Sequence, residues 1–304
     1  TDYSHQYYVD LTPVVEKGLN LIDETDTDAE SLLVGGLRKG GKGYYALDVT
    51  DAGSISTTGT DLKDRVEWEY TNDAHLGYTF SQPSIVRSND PNQEWIILFG
   101  NGYNSQQGHA ELFILDTDGN LIKRIDTGFG YASGTEKNGL STPTPVDVDN
   151  DQKVDYVYAG DLKGNMWKFD LTSTDYTNWE VAYRDIASSK PKPLFRAMDG
   201  NGNAQPITTR PDVMRHCQEH GYMVFFGTGK HLSKDDNSDY SLQSVYGIWD
   251  YGDDSDDSEY LGTFQRPDDL SNTPGSGYAS LLEQEVKGTV DAHGNELRIT
   301  SDKA

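Results

Sequence analysis

Asp147, Asp149, Asp151 and Asp155 stand at positions 1, 3, 5 and 9 of the run Asp147-Val-Asp-Asn-Asp-Gln-Lys-Val-Asp155. A hard cation such as Ca²⁺ takes about 6–8 oxygen ligands at ~2.3–2.6 Å. A chain that curls round the ion offers carboxylates at alternate residues, a backbone carbonyl at position 7 and a carboxylate or water-bridged group at position 9. In this chain those groups are Asp147, Asp149, Asp151, the carbonyl of Lys153, and Asp155. Without a cation the four carboxylates repel one another. The run departs from an EF-hand at position 6, which is Gln152 rather than Gly, and at position 12, which is Tyr158 rather than a bidentate Glu. Both flanks read as strands, so the spacing predicts a calcium loop between strands rather than between helices. The alternative is a solvated acidic turn, which has no reason to keep the 1-3-5-9 spacing.

Other groups carry weaker chemistry. Asp23, Asp26 and Asp28, like Asp253, Asp254, Asp256 and Asp257, lack that spacing and strand flanks and read as solvated loops. His216 and His220 are four apart, but Arg215-His-Cys-Gln-Glu-His-Gly221 reads as a loop before a strand rather than a zinc-binding helix face. Gly227-Thr-Gly-Lys230 has the wrong spacing for a phosphate loop. No GxSxG elbow is present, and no Ser-His-Asp arrangement can be singled out. The single cysteine, Cys217, excludes an intramolecular disulfide and any CxxC metal site, and is expected to be buried.

The elements that must position the loop come as a repeat. Leu32-Leu-Val-Gly-Gly36, Ile96-Ile-Leu-Phe-Gly100, Tyr156-Val-Tyr-Ala-Gly160 and Met223-Val-Phe-Phe-Gly227 are apolar strands closed by glycine. Each is followed by a strand ending near an acid: Gly43–Asp48, Glu111–Asp116, Asn165–Asp170 and Val245–Asp250. Pro-containing strands precede three of them, at Ser81–Val86, Thr142–Val146 and Pro206–Pro211. Outer strands are expected at Arg65–Tyr70, Leu121–Ile125 and Trp179–Tyr183. Four antiparallel strands in a repeat of about 60 residues make one propeller blade. His5–Val15 reads as a blade opening and Glu285–Thr300 as a hairpin, and the two ends are expected to complete blades together, since closure removes free sheet edges. Asp116–Asn120 and Asp199–Asn203 read as hairpin turns.

Composition limits the partners. Fifty acidic against 25 basic residues leave a formal charge of −25, a poor match for nucleic acid or anionic membranes. There is no run of 18 apolar residues, so no membrane insertion is expected. The chain starts at Thr1 without Met and shows no signal peptide. It is therefore expected to be a portion of a longer exported protein.

The run Thr144–Leu171, with Gly35–Thr50, Val224–Lys230 and the opening His5–Val15, closely resembles the C-terminal domain of the PilC/PilY proteins of type IV pili. The resemblance covers nearly the whole chain, in order. It implies one domain over residues 1–304, an all-β, modified β-propeller similar to the quinoprotein dehydrogenases, and a longer parent protein with an N-terminal region absent here. It implies one Ca²⁺ held by the side chains of Asp147, Asp149, Asp151 and Asp155 and the carbonyl of Lys153. It further implies a non-catalytic factor at the pilus tip or bacterial outer surface, acting with minor pilins and a surface or host receptor. Such a factor would support pilus assembly, oppose retraction when calcium is bound, and promote adhesion and twitching motility. Some members carry an RGD motif for host receptors, and this chain has none. Two other readings stay open: a quinone-dependent dehydrogenase, disfavoured by the lack of a vicinal Cys pair and of CxxCH, and a glycan-binding lectin using aromatics such as Trp95 or Trp249.

Overall fold

The structure is a computed structural model. It describes residues 6–19, 30–51, 53, 63–131, 137–185, 188–199, 201–217 and 221–250, together with the backbone of two strands at 284–290 and 296–302.

The first sheet is a meander of β1 (Val14–Leu19), β2 (Glu30–Gly36), β3 (Gly43–Asp48) and β4 (Val66–Thr71). The second repeats it with β5 (Ser84–Arg87), β6 (Trp95–Gly100), β7 (His109–Leu115) and β8 (Leu121–Gly130). The third orders β9 (Thr144–Val146), β10 (Tyr156–Gly160), β11 (Asn165–Asp170) and β12 (Glu180–Val181) from one edge, with β13 (Phe195–Arg196) also pairing to β11. The fourth holds β14 (Asp212–Arg215), β15 (Tyr222–Gly227) and β16 (Val245–Asp250). A hairpin, β17 (Gln284–Val290) and β18 (Glu296–Asp302), makes the fifth.

The all-β class and the strand order follow the sequence reading, but the expected closed propeller of uniform four-stranded blades does not. Among the described residues the sheets have four, four, five, three and two strands, and none closes. In the third unit the outer edge is shared between two two-residue strands, because the chain leaves β11 after Phe169 and Asp170 and returns at Asn165 and Met166. Nor do the first and last described strands share a sheet. β1 pairs with β2, whereas β17 pairs with β18. The expected Pro206–Pro211 strand is instead a lead-in, with Ile207 bridged to Gly229 and the strand starting at Asp212.

The first four sheets pack face to face in chain order, and the two-residue period of a strand explains how. Ile97 and Phe99 of β6 join Leu32, Val34 and Tyr44 between the first two sheets. Ile96 and Leu98, on the opposite face of β6, meet Val157, Ala159, Trp167 and Phe169 of the third sheet. Tyr158 and Met166, on the other face of the third sheet, pack on Val224, Phe226 and Ile248. Strands buried on both faces read as continuous apolar runs rather than alternating ones, which is why Ile96–Phe99 and Tyr156–Ala159 stand out. The glycines that close these strands mark where the next unit crosses. A Cβ on Gly100 would sit 2.2 Å from the Ser141 carbonyl oxygen, and one on Gly160 would sit 2.2 Å from Ile207 Cγ2. At Gly227 no described atom lies within 4 Å.

Inside the third interface, Lys168 pairs with Asp250 at 2.9 Å, both side chains nearly fully buried. Tyr158 and Tyr183 hydroxyls donate to the two Asp250 oxygens at 2.5 and 2.9 Å, and the Lys168 ammonium also lies over the rings of Tyr156, Tyr158 and Tyr183. Trp95 stays half-buried against the first core, and Trp249 stacks on His216 with ring centroids 5.0 Å apart. Cys217, expected to be buried, is exposed, because it follows β14 in a turn rather than within a strand. The turns at Asp116–Asn120 and Asp199–Asn203 form as read, with Gly119 and Gly202 at φ +81° and +83°.

One turn makes a testable pH statement. Burial pushes the Asp236 carboxyl up, but the Ser233 and Leu232 N–H groups and Lys230 outweigh it and hold the pKa at about 2. The folded value lies below the unfolded one, so folded Asp236 binds fewer protons than unfolded. Its stabilisation is then full above about pH 4 and is lost as pH falls towards 2. Asp236→Asn should therefore lose less stability than the parent chain between pH 5 and pH 2.5 in urea titrations. Equal losses would show that this carboxylate contributes nothing.

Candidate metal centre

The acidic loop joins β9 to β10, which pair in the register Val146↔Tyr156, Pro145↔Val157 and Thr144↔Tyr158. β9 is an edge strand, where Pro145 removes no ladder donor that matters. The loop between them is held by its own carboxylates. Asp147 accepts from the N–H of Asn150 at 2.6 Å and of Gln152 at 2.8 Å. Asp149 accepts from Asp151 N–H at 3.1 Å, and Asp151 from Lys153 N–H at 2.9 Å. Asn150 and Gln152 take φ of +66° and +72°, in the left-handed region. Gln152 thus adopts the backbone turn that glycine supplies at this position of an EF-hand.

This winding brings carboxylate oxygens of Asp147, Asp149 and Asp151 within 4.8 Å of one another. The Lys153 ammonium sits 3.0 Å from an Asp151 oxygen and, with its N–H, holds the Asp151 carboxyl below its ordinary value. Asp155 lies outside the converging three and faces inward, only 7% exposed. Burial pushes its carboxyl up. Hydrogen bonds from Val148 N–H at 2.8 Å and Asn89 Nδ2 at 3.1 Å oppose the shift, while Asp149 and Asp147 add to it.

Three convergent oxygens on a tight loop, with a fourth carboxylate adjoining, suit a hard divalent cation in donor type and charge. Residues 147, 149, 151, 153 and 155 are thereby placed on one loop, three of them mutually close.

The sequence reading missed what supports the loop from outside. Asn89, between β5 and β6, reaches Val154 O at 3.0 Å and Leu171 O at 3.3 Å as well as Asp155. Val154 N–H donates to Arg87 O at 2.9 Å, and Arg215 of the fourth sheet donates to Val148 O at 2.7 Å. These partners lie 60 or more positions from the residues they hold, so no local pattern signals them. A second convergent group, His109, Glu111 and Asp126, sits in the second sheet. Its only local signal is the alternation His109-Ala-Glu111 on one strand.

An all-β set of meanders carrying an acidic hairpin loop defines the kind of module. The sequence matches the family described as "PilY1 beta-propeller domain" over residues 2–285, and the chain belongs to that family. It is 38% identical over 262 residues to a type IV pilus biogenesis factor PilY1 homolog of Xylella fastidiosa, covering 83% of this chain and 17% of that protein. It is 37% identical over 266 residues to the type IV pilus biogenesis factor PilY1 of Pseudomonas aeruginosa strain UCBPP-PA14, covering 81% of this chain and 21% of that protein. The crystal structure of the Pseudomonas aeruginosa PilY1 C-terminal domain superposes with a TM-score of 0.73 at 32% identity, covering 98% of this chain and 59% of that one. The chain thus spans about a fifth of the length of these full-length relatives. Among the described residues no helix is long and apolar enough to cross a membrane.

Proposed function

We propose that this chain is a calcium-binding, non-catalytic module of a type IV pilus biogenesis factor, acting in pilus assembly and adhesion at the pilus tip or bacterial surface. The observation that carries the reading is the convergence of Asp147, Asp149 and Asp151 on a strand-flanked loop, in a chain belonging to the PilY1 family. Residues 1–304 act as one domain of a longer protein, with minor pilins of the tip complex and a surface receptor as partners.

Asp147, Asp149, Asp151, Asp155 and the Lys153 carbonyl would hold the ion. Calcium would neutralise the acidic loop. The chain's own residues do the rest: Asn89, Arg87 and Arg215 couple the loop to the second and fourth sheets, so ordering it biases how neighbouring sheets meet. That is the physical route by which calcium would tune pilus extension, retraction and twitching motility.

A ligand that binds only the folded state stabilises it by RT ln(1 + [L]/Kd), about 2.7 kcal/mol at a hundredfold excess over Kd. The chain should accordingly melt about 5 °C higher in calcium than in EGTA. Asp147→Ala should abolish most of that difference while leaving the melting point in EGTA nearly unchanged. Identical melting in calcium and chelator would sink the calcium reading.

A further inference from the structure

We propose a second metal site, for a zinc-type divalent transition ion, at His109, Glu111 and Asp126 on the outer half of the second sheet. The three residues come from two adjacent strands. His109 and Glu111 alternate on β7 and so share a face, and Glu111 lies opposite Asp126 of β8. A β-bulge intervenes, since five residues of β8 (Asp126 to Gly130) span what three cover on β7 (His109 to Glu111). Bulges re-aim side chains. Here the bulge turns Asp126 onto the His109 ring, with Asp126 also accepting from Gly128 N–H at 2.7 Å. His109 Nδ1 lies 2.9 Å from an Asp126 oxygen, and one ligand atom from each of the three residues falls within a 4.8 Å group.

Glu111 points to a ligand independently of this clustering. Its side chain is fully buried, 0% exposed. One oxygen takes a contact from His75 Nδ1 at 2.8 Å. The other, Oε2, receives no aligned hydrogen bond. Arg124 Nε is 2.9 Å from it, near enough to offset charge, but off the N–H direction. The ion pair with Arg124 offsets the charge of this oxygen but leaves it a lone pair at which no N–H points, and a bound cation would use it.

Charge balance agrees. Asp73, Glu111 and Asp126 bring three negative charges to this patch against one from Arg124, 3.9 Å from Asp73 and 2.9 Å from Glu111. The carboxylates exceed the guanidinium by two charges, which a divalent ion cancels. An imidazole with two carboxylates is a mixed N/O donor set that suits zinc better than calcium. His109 and Asp126 are 33% and 44% exposed, so an ion can enter from solvent onto the buried Glu111. His75, held by Asp73 through its N–H at 2.8 Å, would fix the Glu111 carboxylate from behind.

Zinc chloride titrated calorimetrically into the chain tests this, in saturating calcium and in a Cys217→Ser background that removes the exposed thiol. One zinc per chain is expected. His109→Ala and Asp126→Asn, both at partly exposed side chains, should each weaken it at least ~10-fold, while Asp147→Ala leaves it unchanged. No zinc uptake by the parent overturns the proposal. So does zinc uptake insensitive to both substitutions, or uptake lost in Asp147→Ala.

Discussion

Asp250→Ala is expected to destabilise the chain by about 3–5 kcal/mol, the cost of leaving one partner of a buried ion pair alone. Lys168 would keep its charge inside the third interface with, among the described residues, aromatic faces and the Tyr183 hydroxyl around it. Tyr158 and Tyr183 would lose the acceptor for their hydroxyls. The double replacement Lys168→Met with Asp250→Leu removes both charges and should recover most of the loss, because desolvating an ion pair offsets much of its attraction. Urea unfolding of Lys168→Met, Asp250→Leu and the double gives the coupling. A double variant as unstable as Asp250→Ala would mean that the tyrosine network, not the ion pair, holds this interface together.

Asp155→Ala should be the most damaging change in the acidic loop, and it should act in two separable ways. In chelator it leaves Val148 N–H without its acceptor and takes one of the three acceptors of the Asn89 amide, in a nearly buried position. Unmaking buried hydrogen bonds costs about 1–3 kcal/mol each. In calcium it should remove a further stabilisation of about 2–3 kcal/mol, if the ion is present at a hundredfold over Kd. Asp147→Ala, at a more exposed carboxylate that accepts only from its own loop, should show the second effect without the first. Melting both variants with and without calcium separates the two contributions. Equal loss in chelator would mean that Asp155 braces nothing.

The acidic loop is legible because the convergence of its carboxylates depends on spacing along one short segment. The strands were legible for a related reason: runs such as Asn165–Asp170 and Val245–Asp250 are bounded by turn residues, and their limits match β11 and β16. Arrangements that depend on distant segments were not legible. A repeat states that units are alike, not how they join, so closure into blades was a poor inference from four similar strand pairs. Pro206–Pro211 carries strand-like residues, yet Ile207 N–H is drawn to Asp161 O at 2.9 Å, and the chain cannot enter a ladder there. Asp126 meets His109 only through a bulge that periodicity does not encode. Cys217 looked like core by residue type, and only the turn after β14 puts it outside.

The tight glycines at the ends of β6 and β10 bear on how the chain reaches this structure. Gly100 is closed over by Leu140 and Ser141, and Gly160 by Ile207. Each crossing segment belongs to the next unit along the chain. A sheet can therefore form its own meander early from local pairings, but its end remains open until the following unit has been made. Local hairpins form quickly, and long-range contacts wait on loop closure. Docking should then proceed as a relay from the amino-terminal sheet onwards, in the direction in which a ribosome or an export channel delivers the chain. A larger residue at Gly100 or Gly160 would block the hand-over between units while leaving each unit's own hairpins free to form.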